Sequence, residues 1–352
     1  MKPNRPAAAA IFRGLPGPLL AWYARSAREM PWRTPCPDPY RTLVSEIMLQ
    51  QTRVETVKPY FLRFVETLPD FAALAAADED LLLKLWEGLG YYSRVRNLQK
   101  AARAVMDGHG GKLPGDPKAL RQLPGIGEYT AGALASIVFG LPEPAVDGNV
   151  LRVCARLLDC HDDTSDPAFR AGVTDRLRSV YPVGKCSEFT QSLMDLGAVV
   201  CIPGTPHCAE CPLKTLCLGF LAGTADALPV RKKAPPRRIE RKTVFLVVSR
   251  SGRTAIRKRP AGGVLAGLWE YPAEDGTFSK KEAAAWLERH GLAPETLRKC
   301  PPWKHVFTHL EWHLSGWRAE GTDEPPGFGW ASQEELRSVY SVPGAFKGIE
   351  KA

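Results

Sequence analysis

The stretch Leu123-Pro124-Gly125-Ile126-Gly127-Glu128-Tyr129-Thr130 decides how the chain is read. Two glycines two residues apart let a backbone turn tightly and approach a ligand without a Cβ in the way. Apolar residues at helical spacing follow from Tyr129 to Phe139, so the turn ends at a helix N-terminus whose free N–H groups attract an anion. A Gly-x-Gly turn alone is common between helices, and its weight comes from its surroundings. On both sides the pattern stays helical. Val44–Val57, Leu81–Leu85 and Val150–Leu158 carry apolar residues three and four apart, and Gly88, Gly90, Pro142 and Pro144 punctuate them. No repeat at a solenoid period interrupts this pattern.

Residues 1–221 therefore read as a mainly α domain. Pro229–Thr243 then places seven Lys and Arg residues among prolines, which fits an extended basic linker over 222–242. It is a solvated tether on the plain reading, and a source of phosphate contacts if the partner is DNA. After it the period becomes two. Thr243–Val248 and Thr254–Lys258 read as strands around Ser251-Gly252, His309–Trp317 alternates, and Lys280–His290 reads as a helix. The expectation is a helical domain followed by a smaller α+β domain over 243–352.

Composition narrows the class of function. The 352 residues are 44% hydrophobic with a formal charge of +9, enough apolar surface for two cores and a bias toward a polyanionic partner. No apolar run approaches the roughly 20 residues that span a bilayer, and Arg13, Arg25 and Arg28 break up the N-terminal apolar stretch. A soluble, cytoplasmic, nucleoid-associated monomer without membrane contact is expected.

Four of the nine cysteines, Cys201, Cys208, Cys211 and Cys217, follow the spacing C-x6-C-x2-C-x5-C. One C-x-x-C flanked by single cysteines fits four-thiolate iron–sulfur ligation better than paired zinc knuckles, with tetrahedral zinc as the alternative. A closed four-cysteine shell points to structural work, and Lys214 and His207 could add positive charge on that loop.

Two carboxylates stand out. Glu46, in Ser45-Glu46-Ile47-Met48-Leu49-Gln50-Gln51, is read at the start of a helix capped by Ser45, where complementing the helix dipole is the simpler role. Its apolar neighbours would instead raise its pKa and make it a usable acid. Asp147, in Val146-Asp147-Gly148-Asn149-Val150, is a natural N-cap, and a cap also places a carboxylate at a helix mouth where ligands bind.

Together these segments resemble the adenine DNA glycosylases of the MutY family, within the helix-hairpin-helix glycosylase superfamily. The resemblance is carried by Pro31-Trp32-Arg33, Ser45–Val57, Trp86–Arg94, Leu123–Thr130, Val146–Val150 and the four cysteines, in family order over roughly residues 20 to 220. It implies a helix-hairpin-helix domain with a [4Fe-4S] cluster on the four cysteines, and duplex DNA with a mismatched adenine as partner. It makes Glu46 the acid that protonates adenine N7 and Asp147 the carboxylate that stabilises the sugar cation, with Tyr129 and Asn149 beside the sugar. Trp32 and Arg33 would line the adenine pocket, and Gly125 and Gly127 would grip the phosphate backbone. In the similar endonuclease III pattern a Schiff-base lysine stands where Tyr129 stands here, so hydrolysis without efficient strand cleavage is expected.

An adenine in a duplex must be flipped out before it reaches such a pocket. By the resemblance Gln51, Leu89 and Tyr91 enter the stack near the opposite base, with ordinary packing as the alternative for Leu89. The C-terminal domain resembles a Nudix fold, but Glu282 and Glu288 lie six apart on different helix faces without the R-E-x-x-E-E core, so nucleotide hydrolysis is not expected. In the family this domain recognises 8-oxoguanine opposite adenine. The segment carried over is His305–His309, with Phe307, and with Thr308 and His309 contacting the lesion; Thr308 stands where serine is common. The competing readings are a pyrimidine-lesion glycosylase-lyase and a non-catalytic iron–sulfur DNA-binding protein.

Overall fold

The computed structural model describes residues 5–230 and 235–351, which form two compact units. The first comprises residues up to Ala76 and from Arg96 to Lys233; the second comprises Ala77–Val95 and the chain from Ala234 onward.

The first unit is helical. Several helices share a local start signal, an Asp followed by Pro. Asp38, Asp116 and Asp166 each accept an N–H bond from the first turn of Pro39–Leu49, Pro117–Gln122 and Pro167–Arg178, with proline at the first helical position. The core gathers Phe12, Leu15 and Leu19 with Val150, Val153 and Leu157, Phe189 and Leu193, and it reaches Cys201 and Cys217.

One expected helix divides in two. Val44–Val57 splits into Pro39–Leu49 and Val54–Thr67, with Gln51 between them at a φ of 58°. Ser45 is therefore not a cap: Asp38 caps the first helix, and the Ser45 hydroxyl donates to the Thr42 carbonyl at 2.9 Å within it. Glu46 lies in the last turn, not the first, at the end where the helix dipole disfavours negative charge.

The second unit is built on a seven-stranded sheet. Its strands are β1 (Arg238–Ser249), β2 (Thr254–Lys258), β3 (Trp269–Glu270), β4 (Ala273–Asp275), β5 (Thr296–Val306), β6 (Leu310–Thr322) and β7 (Gly329–Ala331). The central order is β3-β2-β1-β6-β5, with β4 pairing β1 and β7 pairing β2. β1 begins five residues before the expected Thr243, because Arg238 to Lys242 pair in parallel with Leu310 to Leu314. The end of the expected 222–242 linker is thus sheet; residues 231–234 lie outside the described ones.

Alternation along β1 sends Val244 and Leu246 to one face with Trp312, Leu314 and Phe346. It sends Phe245 and Val247 to the other, against Trp286 and Leu287 of the helix Lys280–Arg289. Glu282 completes a capping box with Ser279 on that helix. Ala77–Val95, expected within the helical domain, groups instead with this unit. Lys84 donates to the Leu336 and Tyr340 carbonyls at 3.2 Å, Ser341 donates to Leu83, and Lys347 pairs with Glu87 at 2.5 Å.

Candidate active site

Trp32, Arg33, Glu46, Tyr129, Asp147 and Asn149, which come from four separate segments, line one cavity of about 190 Å³ in the helical unit. Its geometry depends on a glycine. A Cβ on Gly132 would stand 2.2 Å from the Pro144 carbonyl oxygen, so only glycine lets the helix Glu128–Ile137, which carries Tyr129, pack against the segment leading into Asp147.

Glu46 is 5% exposed, and its Oε2 has no hydrogen-bond partner among the described residues. Burial is the main force raising its pKa from the ordinary 4.5 to about 7. The Asp147 charge adds to the rise, while a hydrogen bond from Tyr129 and the Arg33 charge oppose it. Tyr129 is pushed well above its usual pKa by burial and by the two carboxylates, so its hydroxyl keeps its proton and donates to Glu46. The Arg33 Nε is also buried without a partner among the described residues. A vacant carboxyl oxygen and a vacant guanidinium N–H thus belong to one cavity that holds room for a polar ligand.

Asp147 is the N-cap of Gly148–Leu157. Its Oδ1 accepts from the Asn149 and Val150 backbone N–H groups at 2.9 and 2.8 Å, and its Oδ2 accepts from Asn149 Nδ2 at 2.8 Å. Capping and cavity lining coexist, since a carboxylate has about four acceptor positions and the helix occupies three. Asn149 is oriented in turn by Arg152, whose Nη2 donates to its Oδ1 at 2.9 Å. Trp32 packs edge-on against Phe61 with centroids 5.2 Å apart, which sets its ring in the wall.

The hairpin turn divides its labour between the glycines. Gly125 has a φ of 77° and its Cβ would lie 2.7 Å from Asn97 Cβ, so conformation and space both require glycine. Gly127 caps the following helix in ordinary extended geometry, with nothing within 4 Å of a Cβ. The open space there leaves the helix N–H groups approachable.

Cys201, Cys208, Cys211 and Cys217 line a single pocket walled by Val153, Leu157, Leu196 and Leu213, with His207 and Lys214 at it. Arg156, 1% exposed, ties this loop down: it donates to Cys201 Sγ at 3.3 Å and to the carbonyls of Ile202, Gly204 and Leu228. A Cβ on Gly219 would stand 2.8 Å from the Arg156 carbonyl oxygen, so the returning chain also needs glycine. Four cysteines lining one apolar-walled pocket offer thiolate donors of the kind a soft metal centre takes. Among the described residues, no three His, Cys, Asp or Glu side chains are grouped as a single-ion site.

The remaining site residues lie elsewhere. Gln51 is exposed at the corner after the Glu46 helix. In the second unit Leu89 is 5% exposed and packed, between Gly88 and Gly90 with φ of 104° and 69°. Tyr91 is exposed, and its hydroxyl lies 2.8 Å from Thr308 Oγ1. Phe307 packs edge-on against Trp312, which leaves Thr308 and His309 exposed at the hairpin tip. Sequence reasoning missed Arg28 and Gln191, which line the cavity, and Asp195, which bonds Arg28 and Arg33. Gln191 and Asp195 have the four-residue spacing of one helix face, but Arg28 meets Asp195 across 167 residues, which no local pattern reveals.

Comparison with known proteins places the chain in a family. Residues 44–175 match the HhH-GPD superfamily of base excision DNA repair proteins, and residues 243–352 match the NUDIX domain. The chain is 34% identical to an adenine DNA glycosylase of Homo sapiens, over 95% of this chain and 72% of that protein. It is 30% identical to one of Schizosaccharomyces pombe, over 91% and 85%. Among solved structures, a thermostable thymine-DNA glycosylase is similar with a TM-score of 0.53 at 27% identity, covering 61% of this chain and 97% of that one. An endonuclease III–DNA complex is similar with a TM-score of 0.50 at 26% identity, covering 58% and 92%. The chain belongs to the adenine DNA glycosylase family.

Proposed function

We propose that this protein removes adenine mispaired with 8-oxoguanine or guanine, by hydrolysis of the N-glycosidic bond. The observation that carries the reading is a buried carboxyl group, Glu46, with one oxygen unbonded among the described residues, in the same cavity as a second carboxylate fixed by a helix N-terminus. Adenine leaves poorly as an anion. A proton from Glu46 to N7 removes that difficulty and supplies about 10²–10⁴-fold in rate. The sugar left behind is oxocarbenium-like, and the position of Asp147 not taken up by its helix is available to stabilise it. Tyr129 holds Glu46 through its hydrogen bond, and the vacant Arg33 N–H is available to a ring nitrogen.

Extruding the base costs a few kcal/mol. Leu89 and Tyr91 are carried on a segment that groups with the unit holding Thr308 and His309, which supports a joint role beside the opposite base. The net charge and the open hairpin at Gly125 and Gly127 support binding of the duplex backbone, by a monomer located with the nucleoid. Cys201, Cys208, Cys211 and Cys217 would hold a [4Fe-4S] cluster, which supplies structural cross-linking of the loop when bound. Iron with a visible absorption band is expected from the purified protein, and zinc alone would contradict it.

The test is a base-release assay on duplexes with adenine opposite 8-oxoguanine, guanine and thymine, with and without alkali. Release opposite the first two, with strand breaks only after alkali, is expected because Tyr129 has no amine. Breaks without alkali that borohydride traps would refute it.

A further inference from the structure

Behind the cavity wall lies a charge cluster of which the mechanism above uses only Arg33. Asp195 ends the helix Cys186–Asp195 and is fully buried. Its Oδ1 accepts from Arg28 Nε at 2.8 Å and from Arg33 Nη2 at 2.9 Å. Its Oδ2 accepts from Arg33 Nη1 at 2.7 Å and from the Arg28 backbone N–H at 3.2 Å. Both arginines line the Glu46 cavity. We propose that Asp195 is a positioning residue for base release, clamping Arg28 and Arg33 in the cavity wall and offsetting their charge so that Arg33 faces the base without drawing the proton off Glu46.

Two guanidinium groups share one carboxylate, so the cluster retains a single net positive charge. Charge-assisted bonds at these distances fix both planes, and such a cluster tolerates burial only while its partners stay together. Burial works to raise the Asp195 pKa, yet the bonds and charges of Arg33 and Arg28 hold it below the ordinary carboxylate range. The Arg33 Nη atoms are spent on Asp195 while its Nε remains vacant, so the clamp also decides which N–H is left for a ligand. The charged and titratable groups that line the cavity with Glu46 are Tyr129 from its helix, Asp147 at the mouth of the next, and Arg28 and Arg33 from the segment after the helix Pro16–Ser26. The helix Val54–Thr67 contributes only Val54. Arg33 already lowers the Glu46 pKa with Asp195 in place; without that counter-charge its pull would grow.

The inference rests on Glu46 being the acid, and the test separates the two. Single-turnover adenine release by the full chain, from a duplex with adenine opposite guanine, is followed across the neutral pH range. Asp195→Asn should move the pH at which the rate falls downward by about one unit and lower the rate above neutrality about tenfold. Duplex affinity should be retained, and Asp195→Glu should return the midpoint toward the native value. Arg28→Gln removes one cation and leaves the Asp195–Arg33 pair, so its midpoint should move upward. A uniform loss of rate in Asp195→Asn with the midpoint unmoved overturns the proposal. Should Asp195→Asn fail to fold, Arg28→Gln decides: an upward shift supports the clamp and an unmoved midpoint overturns it. Should Glu46→Gln still release adenine, the acid assignment itself falls.

Discussion

Glu46→Gln should gain stability relative to the native chain as pH rises, while its activity falls sharply. Glu46 is almost fully buried in the final turn of Pro39–Leu49, and its pKa rises from 4.5 to about 7. At about 1.4 kcal/mol for each tenfold change in proton affinity, that interval corresponds to roughly 3 kcal/mol. The folded state binds this proton more tightly than the unfolded chain does. The contribution is therefore complete below about pH 4.5 and is lost as pH rises through about 7. Glutamine carries no such dependence. Urea unfolding of both proteins at about pH 4.5 and at about pH 8 should show the variant gaining about 3 kcal/mol relative to the native chain between the two conditions. Any fixed cost of the amide cancels in that difference. Adenine release by the variant should fall by about 10²–10⁴-fold. A stability gap unchanged between the two pH values would refute the buried-acid argument.

Asp147→Asn should retain helix capping, because Asn is as good an N-cap as Asp, and should change stability by less than about 1 kcal/mol. Its adenine release in single-turnover assays should collapse while duplex binding persists. Gly132→Ala places a methyl where the Pro144 oxygen stands. It should cost about 1–3 kcal/mol by thermal unfolding, and it should slow base release as Tyr129 and Asp147 are forced apart. Native activity should itself decline as pH rises through about 7, where Glu46 loses its proton, as a pH–rate profile would show.

The helical unit was legible where periodicity and caps agree, as at Gly148–Leu157, which begins at its Asp cap. It was misread at Glu46: Val44 to Val57 keeps helical spacing through a corner whose one local mark is the unusual backbone of Gln51. β5 went unseen because Pro301 and Pro302 interrupt it, and the sheet absorbs them as a bulge between Cys300 and Trp303. Local patterns say which element forms, not which partner it packs on. Hence Ala77–Val95 reads as part of the helical run, although Leu83, Lys84 and Glu87 bond to residues 336–347. The carboxylates and cysteines were recoverable because each sits in a compact motif, whereas the Arg28–Asp195 contact exists only once the chain has folded.

Proton delivery to the extruded base is tested most directly by changing the base. In 7-deazaadenine a C–H replaces N7, so the ring keeps its shape and pairing edge but loses the acceptor. The native protein should bind a duplex carrying 7-deazaadenine opposite guanine about as tightly as the adenine duplex and release almost none of the modified base. Release of 7-deazaadenine at a rate near that of adenine would contradict the role given to Glu46.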